Sequence, residues 1–416
     1  MCPGNLPDCP KNLPRSKTVV SRLYLWGRNR ACILPSPTVN VRTSEGSMSQ
    51  LGNGKVAATG EWAQLNMWEV PSRVRSNMVA LYDLAPRFTL GSSDNKEGRK
   101  DILERDFSFG GVRYRITLKP TRMKEDDGRQ VDRLLTDREQ IVEEVIRRLA
   151  CDRGRLSLYE TAAARGRGAI RSQFNVRFSF SLHEVRQELA RVKHTYSFQE
   201  IVKSIILLNE VRITIQDLDS RGSPLLSAPA FPVMAMRREG DEGAQTYVEF
   251  NPLVAEAIRS LSFQQVDYET LMKVRDPVAR WLLKRLHVQM ASTKQPVQKI
   301  SANEIRRDSG MSEWAKSRDM FARVCRAVKL LVEHDVIDNL EIKRVKEGKK
   351  IVDILFTMSA TPDFHAKVHG SNRVAKQNLD DFARLTNGAV PSDGFANISD
   401  TDAFRIRAGR SLEVAA

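Results

Sequence analysis

Two stretches of this chain match one another. Residues 180–189 read FSLHEVRQEL and residues 300–309 read ISANEIRRDS, so Ser181 aligns with Ser301, Glu184 with Glu304, Val185 with Ile305 and Arg186 with Arg306. Each copy has Ser, then Glu three residues later, then an apolar residue. That spacing is a capping box, in which hydroxyl and carboxylate satisfy amides that the first turn of a helix leaves without partners. A second match follows each copy. IVKSIILL (201–208) aligns with VCRAVKLL (324–331), pairing Lys203 with Arg326 and Leu207–Leu208 with Leu330–Leu331. Both are helical patterns, and each runs into alternating apolar residues: Val211, Ile213 and Ile215 after the first, Leu340, Ile342 and Val345 after the second. A turn and a returning strand come next. The second hairpin is compact, with Glu341 to Val345, a turn at Glu347–Gly348, and Ile351 to Met358; the first makes an excursion from Ser220 to Arg238 and returns through Thr246, Val248 and Phe250.

Short helix, turn, longer helix and β-hairpin is the order of a winged helix, a helix-turn-helix variant. The predicted fold class is α+β, mainly helical, with two tandem winged-helix domains, small β-hairpin wings and flexible termini. The first domain is expected over 61–250 and the second over 251–362. Residues 1–60 lack lasting periodicity and are expected to be a disordered leader, or an overlong start with Met48 as the alternative start. Residues 363–416 are expected to form a polar, flexible tail with a helix from Asn378 to Leu385. Within the first domain, Val74, Met78, Leu81, Tyr82 and Leu84 have helical spacing up to Pro86. Phe107 to Leu118 alternate around Gly110–Gly111 as a hairpin, and Leu134 to Leu149 mark an amphipathic helix. Pro252 to Leu261 and Val278 to Met290 read as helices between the two repeats.

The formal net charge is +15. A surplus of that size attracts polyanions, nucleic acid first and an acidic membrane surface second. The cysteines Cys2, Cys9, Cys32, Cys151 and Cys325 form no CxxC pair, as expected of a reduced, cytoplasmic protein. No run of about 18 apolar residues exists, so no membrane span is expected. Catalytic patterns are missing. The pairs Gly54–Lys55 and Gly348–Lys349 lack the phosphate-cradling loop and the Ser or Thr that would follow it. His365 and His369 stand four apart without a zinc-type companion set, so neither metal nor cofactor is predicted. Asp217-Leu218-Asp219 falls where a strand enters a turn, a place Asp favours for its own hydrogen bonds. Arg165-Gly166-Arg167-Gly168 reads as a solvated loop or a phosphate contact. The chain is expected not to be an enzyme.

Double-stranded DNA is the expected partner. In helix-turn-helix proteins the second helix enters the major groove. In the second repeat the first helix would span Ala302 to Asp308, and the long helix would begin between Ser312 and Arg318. Its stripe of Met320/Phe321, Val324, Ala327/Val328 and Leu331 would face the core, leaving Lys316, Arg318, Arg323 and Arg326 as base-reading candidates. Arg306, Arg307, Lys343, Arg344, Lys346, Lys349 and Lys350 are candidates for phosphate contact, and the first repeat offers a thinner auxiliary set, His194, Gln199 and Lys203.

FSLHEVRQEL with its following helix, YETLMKVRDPVARWLLKRL (268–286), ISANEIRRDSGM and SRDMFARVCRAVKLLVEHDVI (317–337) together resemble the iteron-binding replication initiators of bacterial plasmids, the RepA/TrfA-like proteins. The resemblance covers roughly residues 70–360. It implies binding to direct repeats at an origin, melting of adjacent AT-rich DNA, and recruitment of the host helicase and initiator. It further implies autorepression, a monomer–dimer equilibrium with the first winged helix as dimer interface, and dominant DNA contact by the second. Carried onto this chain, Arg318, Arg323 and Arg326 would read bases. A transcriptional repressor built on the same fold remains the alternative, and a DNA-nicking enzyme is the third reading.

Overall fold

The computed structural model describes residues 63–90, 101–125, 127–161, 173–219, 224–236, 246–293, 295–312, 316–388 and 391. The leader, the Arg165–Gly168 motif and the end of the tail lie outside them. The described course opens with a helix at residues 63–68 (α1), strand β1 (Arg75–Met78) and helix α2 (Ala80–Leu84). Two hairpins follow, β2 (Leu103–Phe109) with β3 (Val112–Lys119), and β4 (Thr121–Lys124) with β5 (Gln130–Arg133). Gly110 and Gly111 make the first turn at φ of 60° and 84°, a region open to glycine at little cost.

Helix α3 (Asp137–Leu149) leads to β6 (Leu156–Thr161), β7 (Gln173–Phe180), α4 (Leu182–Arg191) and α5 (Phe198–Glu210). Strands β8 (Arg212–Asp217), β9 (Pro224–Ala228), β10 (Met234–Ala235) and β11 (Thr246–Glu249) come next. Helix α6 (Pro252–Arg259), strand β12 (Gln264–Asp267) and helix α7 (Tyr268–Lys273) join the two halves. The second half consists of α8 (Pro277–Ser292), β13 (Val297–Ser301), α9 (Ala302–Ser309), α10 (Ser317–Glu333), β14 (Ile337–Glu347), β15 (Lys350–Ala360) and α11 (Pro362–Leu385).

The match in sequence marks a match in topology. With β6 and the β8–β9 hairpin set aside, the order in one half is α3, β7, α4, α5, β10, β11, and β11 lies between β10 and β7 in its sheet. In the other the order is α8, β13, α9, α10, β14, β15, and β15 lies between β14 and β13. Ser181 and Ser301 stand at the same point of each half, where the first strand ends and the next helix begins. Both boxes close: the amides of Glu184 and Glu304 each donate to the Ser hydroxyl at 3.2 Å, and the Ser amides donate back to the carboxylates at 2.8 and 2.7 Å. A lost cap of this kind costs a helix about 1 kcal/mol.

Several expectations need correction. Strand β11 pairs with β7 and β10, whereas the 211–215 segment forms β8 and pairs with β3 and β9. The hairpin β8–β9 is thus an insertion that extends the β2–β3 sheet. The 74–84 segment is a strand followed by a helix, and β1 pairs with β12, Arg75 opposite Asp267. The second hairpin is not small, since each strand has 11 residues. Helix and sheet are mixed along the whole described course. A single 24-residue helix, α11, occupies the beginning of the expected tail. It lies on α8 and β12, burying Phe364, Val368 and Phe382, and Lys367 pairs with Asp267 at 2.9 Å. No helix among the described residues is long and apolar enough to cross a membrane.

One continuous apolar cluster runs through both halves, from Ala63 to Phe382. Charge is buried where α2, α3 and α8 meet. Arg147 donates to Asp83 at 2.6 Å, Arg87 to Glu143 at 2.8 Å, and Tyr82 Oη to Glu143 at 2.8 Å. From α8, Lys284 reaches Asp83 at 3.1 Å and also Glu144, and Arg280 pairs with Asp137. Burial pushes the Asp83 carboxyl up, but Arg147, Lys284 and Arg87 outweigh it and hold the group below the usual carboxylate range. Burial pushes Arg280 down to about 10.

Two outcomes follow from these buried groups. Lys284→Met leaves two buried carboxylates short of a counter-charge and should lower the unfolding free energy by about 3–5 kcal/mol in a urea titration. His287, buried on α8 with its ring 6.4 Å from that of Phe364, is pushed down by burial to about 4. The unfolded chain takes up that proton first, near pH 6.5, so stability is fully present above pH 6.5 and falls as pH drops toward 4. Melting temperatures between pH 7 and 5.5, above the carboxylate range, should fall in the parent and fall less in His287→Leu.

Candidate nucleic-acid interface

Helix α10 buries Met320, Phe321, Val324, Ala327, Val328 and Leu331, the stripe that its sequence period requires. The opposite face carries Arg318, Ala322, Arg326 and Lys329, all exposed and spaced four, four and three residues apart. Such residues line up along one side of a helix. Ala322 leaves the middle of that line low, so a groove floor can come close between Arg318 and Arg326. Lys316 is exposed at the N-cap and makes no side-chain cap, and the first turn of α10 carries the exposed Asp319 beside Arg318. Lys329 is missing from the sequence-based candidates, although its place three residues after Arg326 puts it on the same line.

Strands β14 and β15 carry the cationic surface outward. Lys343, Arg344, Lys346, Lys349 and Lys350 are all exposed, in company with Glu341 and Glu347. Cys325 on α10 shows how closely wing and helix adjoin: half-burial raises its thiol, while Lys329 of the helix and Arg344 of the strand pull it back down. Helix and wing therefore share one cationic edge.

Arg323 is drawn away from that edge. It lies on the flank of α10, only 21% exposed, and pairs with Asp276 at the start of α8 at 2.5 Å. Arg307 is held by Asp308 at 2.6 Å, and Asp308 in turn accepts the Ser108 amide of β2 at 3.2 Å. Arg306 is half-buried. Of the three, Arg323 fastens one element to another, α10 to α8, while Arg307 lies exposed against its neighbour on α9. The α9–α10 turn is fastened as well. Gly310 takes φ 80°, and a Cβ there would stand 3.0 Å from Phe88 O and 2.9 Å from the Arg105 guanidinium. Only glycine fits both the conformation and the space.

Among the auxiliary candidates, Gln199 and Lys203 share one face of α5, and His194 lies in the turn before it. His194 Nε2 bonds the Met272 carbonyl at 3.1 Å, and burial lowers the ring's pKa, which keeps it neutral near pH 7. Lys203 lies 3.8 Å from Glu125, beside the β4–β5 hairpin, and Thr121 of that hairpin donates to Glu210 at the far end of α5. Gln199 is exposed. The α5 N-terminus is closed by its own capping box, Ser197 with Glu200, which the sequence reading did not single out. Asp217 and Asp219 serve the β8 turn: Asp217 accepts the Asp219 amide, and Asp219 pairs with Arg113 at 3.1 Å. His365 and His369 face each other, Nε2 to Nε2, at 3.0 Å. Among the described residues no group of three or more possible metal ligands occurs.

No family model and no curated protein matches this chain. Among solved structures, domains 2 and 3 of RctB resemble it at 13% identity and a TM-score of 0.41, covering 73% of this chain and 98% of that one. A second structure of RctB domains 2–3 gives 10% and 0.39, covering 70% and 99%. The Pi initiator protein in complex with iteron DNA gives 14% and 0.37, covering 55% and 92%. At such overlaps, function is read from the chain's own residues.

The split among the α10 arginines is measurable. Arg323→Ala removes a partly buried ion pair and should lower stability by about 1 kcal/mol, a shift of roughly 2–4 °C in a calorimetric melt. Arg326→Ala should leave the melt unchanged.

Proposed function

We propose that this chain is a non-enzymatic plasmid replication initiator that binds direct repeats of double-stranded DNA through two winged-helix domains, spanning 61–250 and 251–362. In this reading α10 enters the major groove, with Arg318 and Arg326 against base edges and Lys329 alongside. The wing holds phosphates through Lys343, Arg344, Lys346, Lys349 and Lys350. The observation that carries the reading is the exposed cationic line of α10 set beside an equally exposed cationic wing. The matching topology of the two halves supports the tandem arrangement, and the four sequence stretches resembling RepA/TrfA-like initiators support the origin-binding role. Melting of adjacent AT-rich DNA, recruitment of the host helicase and initiator, autorepression and a monomer–dimer equilibrium in the cytoplasm belong to the same proposal.

The test is a DNase I footprint on DNA flanking the gene, at physiological salt with competitor DNA. Regular protection over direct repeats is expected. Protection of a single promoter palindrome would instead assign a repressor, and an absence of specific protection would overturn DNA recognition altogether. On the protected fragment, Arg326→Ala should lose about 1–3 kcal/mol of discrimination at one base position. Lys349→Ala should weaken all sequences alike and flatten the salt dependence by about one unit. Identical behaviour of the two variants would contradict the separate roles.

A further inference from the structure

A cleft of about 360 Å³ opens between the α4–α5 turn and the start of α8, lined chiefly by Asp137, Lys193, His194, Thr195, Tyr196 and Arg275. Its acidic member is already neutralised, because Asp137 pairs with Arg280. The carboxylate next along the chain, Asp276, is taken by Arg323. Lys193 and Arg275 remain, both exposed and neither in an ion pair among the described residues. Thr195 is exposed beside them, and Tyr196 is half-buried, so hydroxyl donors stand near the two cations. His194 fixes the arrangement through its bond to Met272, which ties the α4–α5 turn to the end of α7. Arg191 adds a second tie, to Glu269 at 3.0 Å.

The position of this cleft matters as much as its charge. Arg323 of α10 grips Asp276, the residue after Arg275, so the flank of α10 is tied to the edge of the cleft. Two unpaired cations beside hydroxyls, in an open and mostly polar depression, suit a phosphodiester better than an apolar ligand or a base edge.

We propose that the cleft seats backbone phosphates of the same duplex that α10 engages, with Lys193 and Arg275 as its cations. This rests on the DNA-binding reading above and extends it: the first half contacts DNA through the turn before α5 and the residue before α8, while α5 itself does not read bases. Lys203 and His194 then keep their structural partners when DNA binds.

The test uses the full chain, the double variant Lys193→Gln/Arg275→Gln and the fragment defined by footprinting, with affinity measured across a salt series. Each phosphate contact contributes about 0.9 to the slope of log affinity against log salt, so the double variant should be shallower by about 1.8, with unchanged base preference and melting temperature. Each single variant should show about half that change, which keeps the test open if the double variant folds poorly. An unchanged slope, with specific binding intact in the parent, overturns the cleft and leaves the DNA-binding reading standing. A parent that protects no DNA overturns both. Calorimetry with inorganic phosphate and with ATP separates the remaining source: saturable binding by the parent that the double variant loses would assign the cleft to free phosphate esters and overturn its role on DNA.

Discussion

The placement of α10 depends on a buried ionic cluster that ties α8 to α2 and α3. Lys284 and Arg280 project from α8 into carboxylates of the first half, and Trp281 between them donates its indole N–H to the Leu84 carbonyl at 3.0 Å. Helix α10 packs on α8, and Arg323 pins it there through Asp276. An apolar contact would have held the halves together with less desolvation. The planar guanidiniums of Arg147 and Arg87 add directed hydrogen bonds to that cluster.

The two halves show how one topology can have different surface fates. Helices α5 and α10 follow the same preceding elements and bury similar stripes. In α5 the N-terminus is closed by Ser197 and Glu200 and one flank is engaged by Glu125. In α10 the N-terminus lacks a side-chain cap, and its outward line is basic. A carboxylate folded over the first turn of α5 repels an anion there. The two helices thus differ in a few residues at the N-terminal turn and along the outward face.

What could be read from the sequence divides by the range of the interactions. Capping boxes and the α10 stripe involve neighbours three or four residues apart, and Ser181, Ser301 and the Met320-to-Leu331 pattern announced them. The partner of Thr246–Glu249 is β7, far back in the chain, and alternation alone does not say which strand will pair. Residues 74–84 failed for a related reason: a short apolar window fits strand or helix, and burial of β1 against β12 decided it. Helix α11 has polar residues and Gly370 within it, yet Phe364, Val368 and Phe382 secure it from one side. In the interface, exposed Arg326 was legible from periodicity. Arg323 was not, since its partner Asp276 is remote in sequence, and neither was the cleft, which exists only once the halves are docked.

The pairing of β1 with β12 also bears on how the chain comes into being. Strand β1 lies at Arg75–Met78, and its partner is not complete until Asp267 has been added. At typical rates of synthesis that interval lasts roughly 10–40 s. Over that time Met78 and Tyr82, fully covered in the finished fold, have no β12 or α8 beside them. Until β12 and α8 have been added, the first half therefore lacks the partner of its β1 edge and the cations of its ionic cluster that α8 supplies.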